Sequence, residues 1–326
     1  MNTFFKPVND TAAIEQLNKE LSADGGRTAV ISGCIDTQKV HISSAVAQNY
    51  KFMLVITSDE AKARNMCDDA AFFNGEALYY PAKDAIFYSA DVTGNQITGQ
   101  RLKCISRLIE HIKAVDSKDG QDGGLLTLVT TIDGVSDRLV PLKRYMESVI
   151  TIDSTSEIDT EKLAKKMVQM GFTRTGMVED KGQFSIRGGI IDIFSYTDEA
   201  PVRIELWDTE VDSIRMFDAE SQRSIEKLKS YHIFPATEFL FTEEEKQAGL
   251  DKIRKERDEQ LECFDYGKRK RTQEQIEAGN NINKLVGDVE RTGNYSKFLD
   301  TIIKDTAGLI ELSLIHISEP TRLALI

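Results

Sequence analysis

The sequence predicts an α/β protein: a parallel sheet covered by helices over residues 1–150, followed by a smaller α+β domain over 151–235. Three observations carry this. Short, nearly continuous apolar runs alternate with helical stripes through the first 150 residues, as expected of strands buried on both faces. From Gln183 to Phe217 the pattern changes to the two-residue period of strands. Beyond residue 235 the chain becomes charge-rich and helical to about Glu290, and 236–312 reads as a helical continuation of the first domain.

In chain order, an amphipathic helix carries Ile14, Leu17 and Leu21. Ala29-Val30-Ile31, within Arg27–Gly33, reads as a short buried strand leading into a helix through Ala45. Phe52–Ile56 is a strand, and Ser58 or Asp59 can cap the helix after it. Leu78–Pro81 forms another short strand. A long helix then aligns Ile97, Leu102, Ile105, Leu108, Ile109 and Ile112 on one stripe. The polar loop Ser117–Gly124 leads to the strand Leu125–Val129. In the second domain a helix from Asp159 packs Leu163, Met167 and Met170 and ends at Gly171, a left-handed cap. Gln183–Arg187 runs into Ile190–Phe194, with Gly188-Gly189 read as a bulge between them. Val202–Trp207 and Val211–Phe217, joined by the turn Asp208–Glu210, form a hairpin. Tyr295, Phe298, Leu299, Ile302 and Ile303 make an apolar patch that needs a partner. The last fourteen residues, 313–326, follow no earlier pattern and read as translated adapter or vector sequence outside the fold.

Composition narrows the function. Hydrophobic content of 40% and charged content of 29% suit a soluble globular protein, and no window reaches a membrane span. MNTFFKPVND lacks a secretory apolar core. Cys34, Cys67, Cys104 and Cys263 lack CxxC spacing and read as free thiols in a reducing compartment. The histidines, including His41, His111 and His232, are scattered, so no metal site is expected. A net charge of −12 opposes nucleic-acid binding, and Lys268–Arg271 reads as a solvated helix face balanced by neighbouring acids.

Residues 33–40, GCIDTQKV, occupy the place of a phosphate loop after a strand and before a helix. Gly33 and Lys39 fit. Gln38 replaces the second glycine, where backbone must approach phosphate, and Val40 replaces the metal-binding hydroxyl. The loop reads as degenerate and without nucleotide. Ser58-Asp59-Glu60 reads as a cap rather than a metal-binding acidic pair. No catalytic constellation is expected, and no cofactor.

The strand Val202–Trp207 places Val202, Ile204 and Leu206 toward the core and Arg203, Glu205 and Trp207 outward. Gln183, Ser185 and Arg187 share a face of their own strand. Were the strands neighbours, one patch would carry two guanidiniums, a carboxylate and the chain's single tryptophan. A cross-strand ion pair, Arg203–Glu205 or Arg187–Glu205, on a solvated face explains the same residues. From the residues alone both readings stand.

RGGIIDIFSYTDEAPVRIELWDTEVDSIRMFDAESQRSIEKL resembles the small inserted domain of the UvrB/Mfd family, which unites the excision-repair protein UvrB and the bacterial transcription-repair coupling factors. YYPAKDAIFYSADVTGNQITGQRLKCISRLIEHI and TLVTTIDGVSDRLVPLKRYMESVITI resemble the flanking segments. The broken loop and the short stretch between Tyr88 and Arg101, too short for an aromatic DNA hairpin, resemble the coupling-factor branch and its N-terminal UvrB-like module. The alternative is a UvrB-type ATP-dependent helicase fragment. The resemblance implies a degenerate helicase-like (P-loop NTPase-like) domain with an inserted α+β domain that binds UvrA through Arg187, Arg203, Glu205 and Trp207. Phenylalanine is usual at the position of Trp207, and Ser185 stands where UvrB has a further arginine. It further implies a non-catalytic, cytoplasmic bacterial module. Full-length members are ATP-dependent translocases that also engage RNA polymerase and double-stranded DNA, and they mask this surface until DNA is engaged, so the module alone would bind UvrA constitutively.

Overall fold

The computed structural model describes residues 3–21, 29–83, 91–116, 124–263, 307–308 and 324–325. Two compact units emerge: 1–137 with 196–199 and 308–326, and 138–195 with 200–307. The cluster Lys268–Arg271 and the apolar set Tyr295–Ile303 lie outside the described residues.

In the first unit a one-turn helix α1 (Lys6–Asn9) precedes α2 (Ala12–Leu21), which buries Ile14 and sets Leu17 and Leu21 against Val46 and Tyr50. Next come α3 (Asp36–Ala47), β1 (Phe52–Thr57), α4 (Glu60–Asn74), β2 (Ala77–Tyr80), α5 (Asp91–Asp116), β3 (Leu126–Thr131) and α6 (Ile132–Ser136). The side chain of Asp59 caps α4 by accepting from the Lys62 N–H at 2.9 Å. That helix ends on Gly75 at φ +84°, a conformation glycine adopts freely. β3 lies between β1 and β2 and is parallel to both, with Phe52 opposite Leu126 and Ala77 opposite Thr127. Every residue of β3 is buried, so its apolar run needs no alternation.

One predicted strand is missing. Ala29-Val30-Ile31 forms no strand, and Val30 is exposed. Three apolar residues fit an extended surface segment as well as a buried strand, and only a ladder partner decides between them.

The second unit begins with β4 (Arg138–Leu139), α7 (Leu142–Ser148), β5 (Ile150–Asp153) and α8 (Thr160–Gln169). Asp159 caps α8, and Gly171 follows its end at φ +87° with the Thr237 side chain where a Cβ would stand. β6 (Thr173–Arg174), β7 (Gln183–Arg187), β8 (Ile190–Phe194), β9 (Val202–Trp207), β10 (Glu210–Phe217) and β11 (Ser224–Lys227) form a six-stranded sheet in reverse chain order. Only β6 and β7 pair in parallel. β12 (Ser230–Ile233) runs antiparallel to β5, and α9 (Glu243–Cys263) follows. Arg144 of α7 holds Glu245 of α9 with bonds of 2.8 and 2.7 Å, and the Tyr145 hydroxyl donates to the Glu238 carbonyl at 2.6 Å. Of the remaining residues, Ala307–Gly308 forms β13 and Ala324–Leu325 forms β14. The latter, within the segment expected to lie outside the fold, pairs in parallel with Met53 and Leu54 at the edge of the first unit's sheet.

Gly188-Gly189 is not a bulge. It is a two-residue turn, and β7 and β8 are antiparallel neighbours with Arg187 opposite Ile190 and Ser185 opposite Asp192. Gly188 takes φ +60°, a positive value that a two-residue hairpin needs at its first turn position and that glycine adopts without strain. Gly189 also packs flush against β9: a Cβ there would come within 2.8 Å of the Leu206 carbonyl, whose own N–H donates to Gly189 at 2.7 Å.

Candidate protein-binding face

The period-two pattern sorts the six-stranded sheet into two faces. Phe184, Ile191, Ile193, Val202 and Ile204 are buried together on one of them. The hairpins at Gly188-Gly189 and Asp208-Thr209 then bring Arg187, Asp192, Arg203 and Glu205 onto the other face as cross-strand neighbours. Asp192 stands opposite Arg203, and Ile190 opposite Glu205.

Asp192 is the centre of that face. It is 1% exposed and accepts from Arg203 Nε at 2.6 Å, Arg203 Nη2 at 2.9 Å and Arg187 Nη2 at 2.6 Å. The Arg203 guanidinium also donates to Gln222 Oε1 at 2.7 Å and lies 4.3 Å from the centre of the Phe217 ring. Hydrogen bonding to Asp192 pushes the Arg203 pKa upward against the opposing effect of burial. Gln222 reaches it from a residue at φ +58°, in a tight loop closed by the Asp218 side chain accepting from Ser221.

The four sequence-predicted residues divide by exposure. Trp207 is 80% exposed at the end of β9. The Arg187 side chain is 45% exposed, and that of Arg203 only 14%. Arg203 therefore does not project freely outward as the alternation implies; its guanidinium is used inside the sheet face. Glu205 pairs with Arg215 and accepts from the Ser213 hydroxyl at 2.8 Å. The expected ion pairs of Arg203 or Arg187 with Glu205 are replaced by pairs with Asp192. Ser185 is buried, its hydroxyl donating to the Gly176 carbonyl at 2.9 Å.

Asp192, Arg215 and Gln222 escaped the sequence reading. For Asp192 a signal existed: an aspartate in the middle of the apolar run IIDIF, three residues beyond a Gly-Gly pair that can form a hairpin turn. Reading that pair as a bulge removed the register that sets Asp192 against Arg203.

In the first unit the loop 33–40 has no free lysine. Lys39 Nζ lies 2.9 Å from Asp36 Oδ1, and this contact holds the Asp36 carboxyl below the usual carboxylate range. Gln38 Oε1 accepts from the Ile35 N–H at 3.2 Å, and Val40 is buried in the core. Among the described residues no group of three or more His, Cys, Asp or Glu side chains could hold a metal. No helix among them is long and apolar enough to cross a membrane. Cys34, Cys67 and Cys104 are free thiols.

Fold and face define the class: a mixed α/β protein whose second unit carries a six-stranded sheet with one apolar and one charged face. Residues 150–239 match the family model of the UvrB interaction domain. The chain is 34% identical over 256 residues to the transcription-repair-coupling factor of Bacillus subtilis (strain 168), covering 78% of this chain and 20% of that protein. It is 31% identical over 223 residues to the transcription-repair-coupling factor of Staphylococcus aureus (strain Mu50 / ATCC 700699), covering 68% and 18%. The chain belongs to the family of UvrB and the transcription-repair coupling factors. It spans about a fifth of the length of these relatives.

Proposed function

We propose that this chain is the UvrA-binding module of a bacterial, cytoplasmic transcription-repair coupling factor, recruiting nucleotide excision repair to stalled RNA polymerase. The observation that carries this is Trp207, exposed at the end of β9 in a domain that matches the UvrB interaction family. Arg187, Arg203, Glu205 and Trp207 form the docking face, in unequal roles. Trp207 and Arg187 touch the partner, a large apolar area beside a charged donor. Arg203 and Glu205, both engaged within the sheet, shape the face from beneath. The inserted domain is 151–235, supported by the β5–β12 ladder that joins its two ends. It is flanked by 1–150 and 236–312, with 313–326 as a non-native tail.

The module itself is non-catalytic. The loop 33–40 is a degenerate phosphate loop: an ionised Asp36 holds its lysine, and Gln38 and Val40 are used structurally. ATP-dependent translocation, RNA polymerase contact and double-stranded DNA binding belong to the whole protein.

The test is binding of the purified chain to purified UvrA. Trp207→Ala weakens it by about tenfold or more, the usual effect of removing an aromatic anchor, and leaves the melting temperature unchanged. A Trp207→Ala variant that binds like the parent, or a parent that does not bind, overturns the reading. Millimolar ATP gives no thermal stabilisation; a rise of several degrees would restore a nucleotide site.

A further inference from the structure

The ladder of the six-stranded sheet sets three cations side by side on the docking face. Arg203 stands opposite Arg215 on β10, and Arg215 stands opposite Lys227 on β11. Directly opposed side chains lie about 5 Å apart, and like charges so placed disfavour the sheet. Arg203 is offset by Asp192 and Arg215 by Glu205. Lys227 is exposed and has no ion-pair partner among the described residues. Exposure rises along the row, from Arg203 to Arg215 to Lys227 at the sheet edge. On β11, Ile225 stands two residues before Lys227 at a register irregularity of the ladder and is 60% exposed. At the start of β10 Glu210 stands opposite Trp207, so on this face the cations lie at the other end of β10, at Arg215, and beside it on β11, at Lys227. A cationic edge with an exposed aliphatic residue, on a chain of net charge −12, attracts an acidic protein segment.

We propose that the docking face continues past Trp207 across β10 to the edge strand β11, where Arg215, Lys227 and Ile225 receive an acidic segment of the partner bearing an apolar side chain. This rests on the UvrA-binding reading and extends it: Lys227 selects and steers the partner, while Trp207 anchors it. An acidic segment is preferred to nucleic acid because the chain as a whole repels phosphate and the face pairs its cations with exposed apolar groups.

The test compares Lys227→Glu, Lys227→Arg and Trp207→Ala in the full chain for association with purified UvrA. At about 0.05 M salt Lys227→Glu slows association about fivefold, and the difference closes at about 0.5 M as screening shortens the range of the charge. Lys227→Arg behaves like the parent, and all three melt with the parent. Lys227→Glu associating like the parent at low salt, with Trp207→Ala weakened, overturns the extension and leaves the UvrA reading intact. Failure of the parent to bind UvrA overturns both. Loss of duplex-DNA binding in Lys227→Glu with UvrA association unchanged overturns the extension in favour of a nucleic-acid surface.

Discussion

Replacing Arg203 with alanine tests whether that residue is a contact or a support. The change removes two hydrogen bonds to Asp192, one to Gln222 and the stack on Phe217. Asp192, 1% exposed, keeps a single bond from Arg187. Breaking a buried charged pair costs about 3–5 kcal/mol. The remaining Arg187 bond and entry of water into the gap reduce this to about 2–3 kcal/mol. For a unit of this size that lowers the melting temperature by about 5–10 °C. The assay is thermal unfolding followed by far-ultraviolet circular dichroism, because Trp207 is already in solvent and reports unfolding poorly. Trp207→Ala is the matched control, expected within about 0.5 kcal/mol of the parent, as for a surface substitution. An Arg203→Ala protein melting within about 2 °C of the parent would refute the assignment of Arg203 as a structural partner of Asp192.

Two further outcomes follow from the same geometry. Arg144, hydrogen-bonded to Glu245, holds that carboxyl below the ordinary glutamate range, so folding favours the ionised form. The stabilisation is complete above the unfolded value of about 4.3 and is lost as pH falls below it. Urea titrations should therefore show Glu245→Gln about 1 kcal/mol less stable at neutral pH, a figure discounted for partial exposure, with the gap shrinking between about pH 5 and 3; a pH-independent gap contradicts the pairing. Burial raises the Cys67 thiol to about 11 and the Cys104 thiol to about 12, which leaves little thiolate at neutral pH. Peptide mapping after alkylation of the folded chain should find Cys34 modified well before Cys67 or Cys104, and equal rates would contradict the burial.

The α/β frame was legible wherever periodicity was long. β1, α4, α5 and β3 were readable because fully buried strands and long one-sided helices leave patterns that few other structures share. The start of α4 at Ser58 or Asp59 and the Gly171 terminus were readable because capping is local chemistry, and the structure gives the cap to Asp59. The short Ala29–Ile31 run misled, since three residues carry no period. The Gly-Gly pair misled as well, because glycine permits a bulge and a turn equally and only pairing partners choose between them.

The sequence by itself determined that Trp207 stands on the opposite strand face from Ile204, because alternation is a property of one strand. By the same alternation it set Arg203 and Glu205 on Trp207's side of that strand. Only the tertiary structure decided how they are used. Asp192 draws both arginines, Glu205 turns to Arg215, and Lys227 is left without a described partner. Those pairings depend on register between strands, and register is set by turns and by the closure of the whole sheet, neither of which a single strand records.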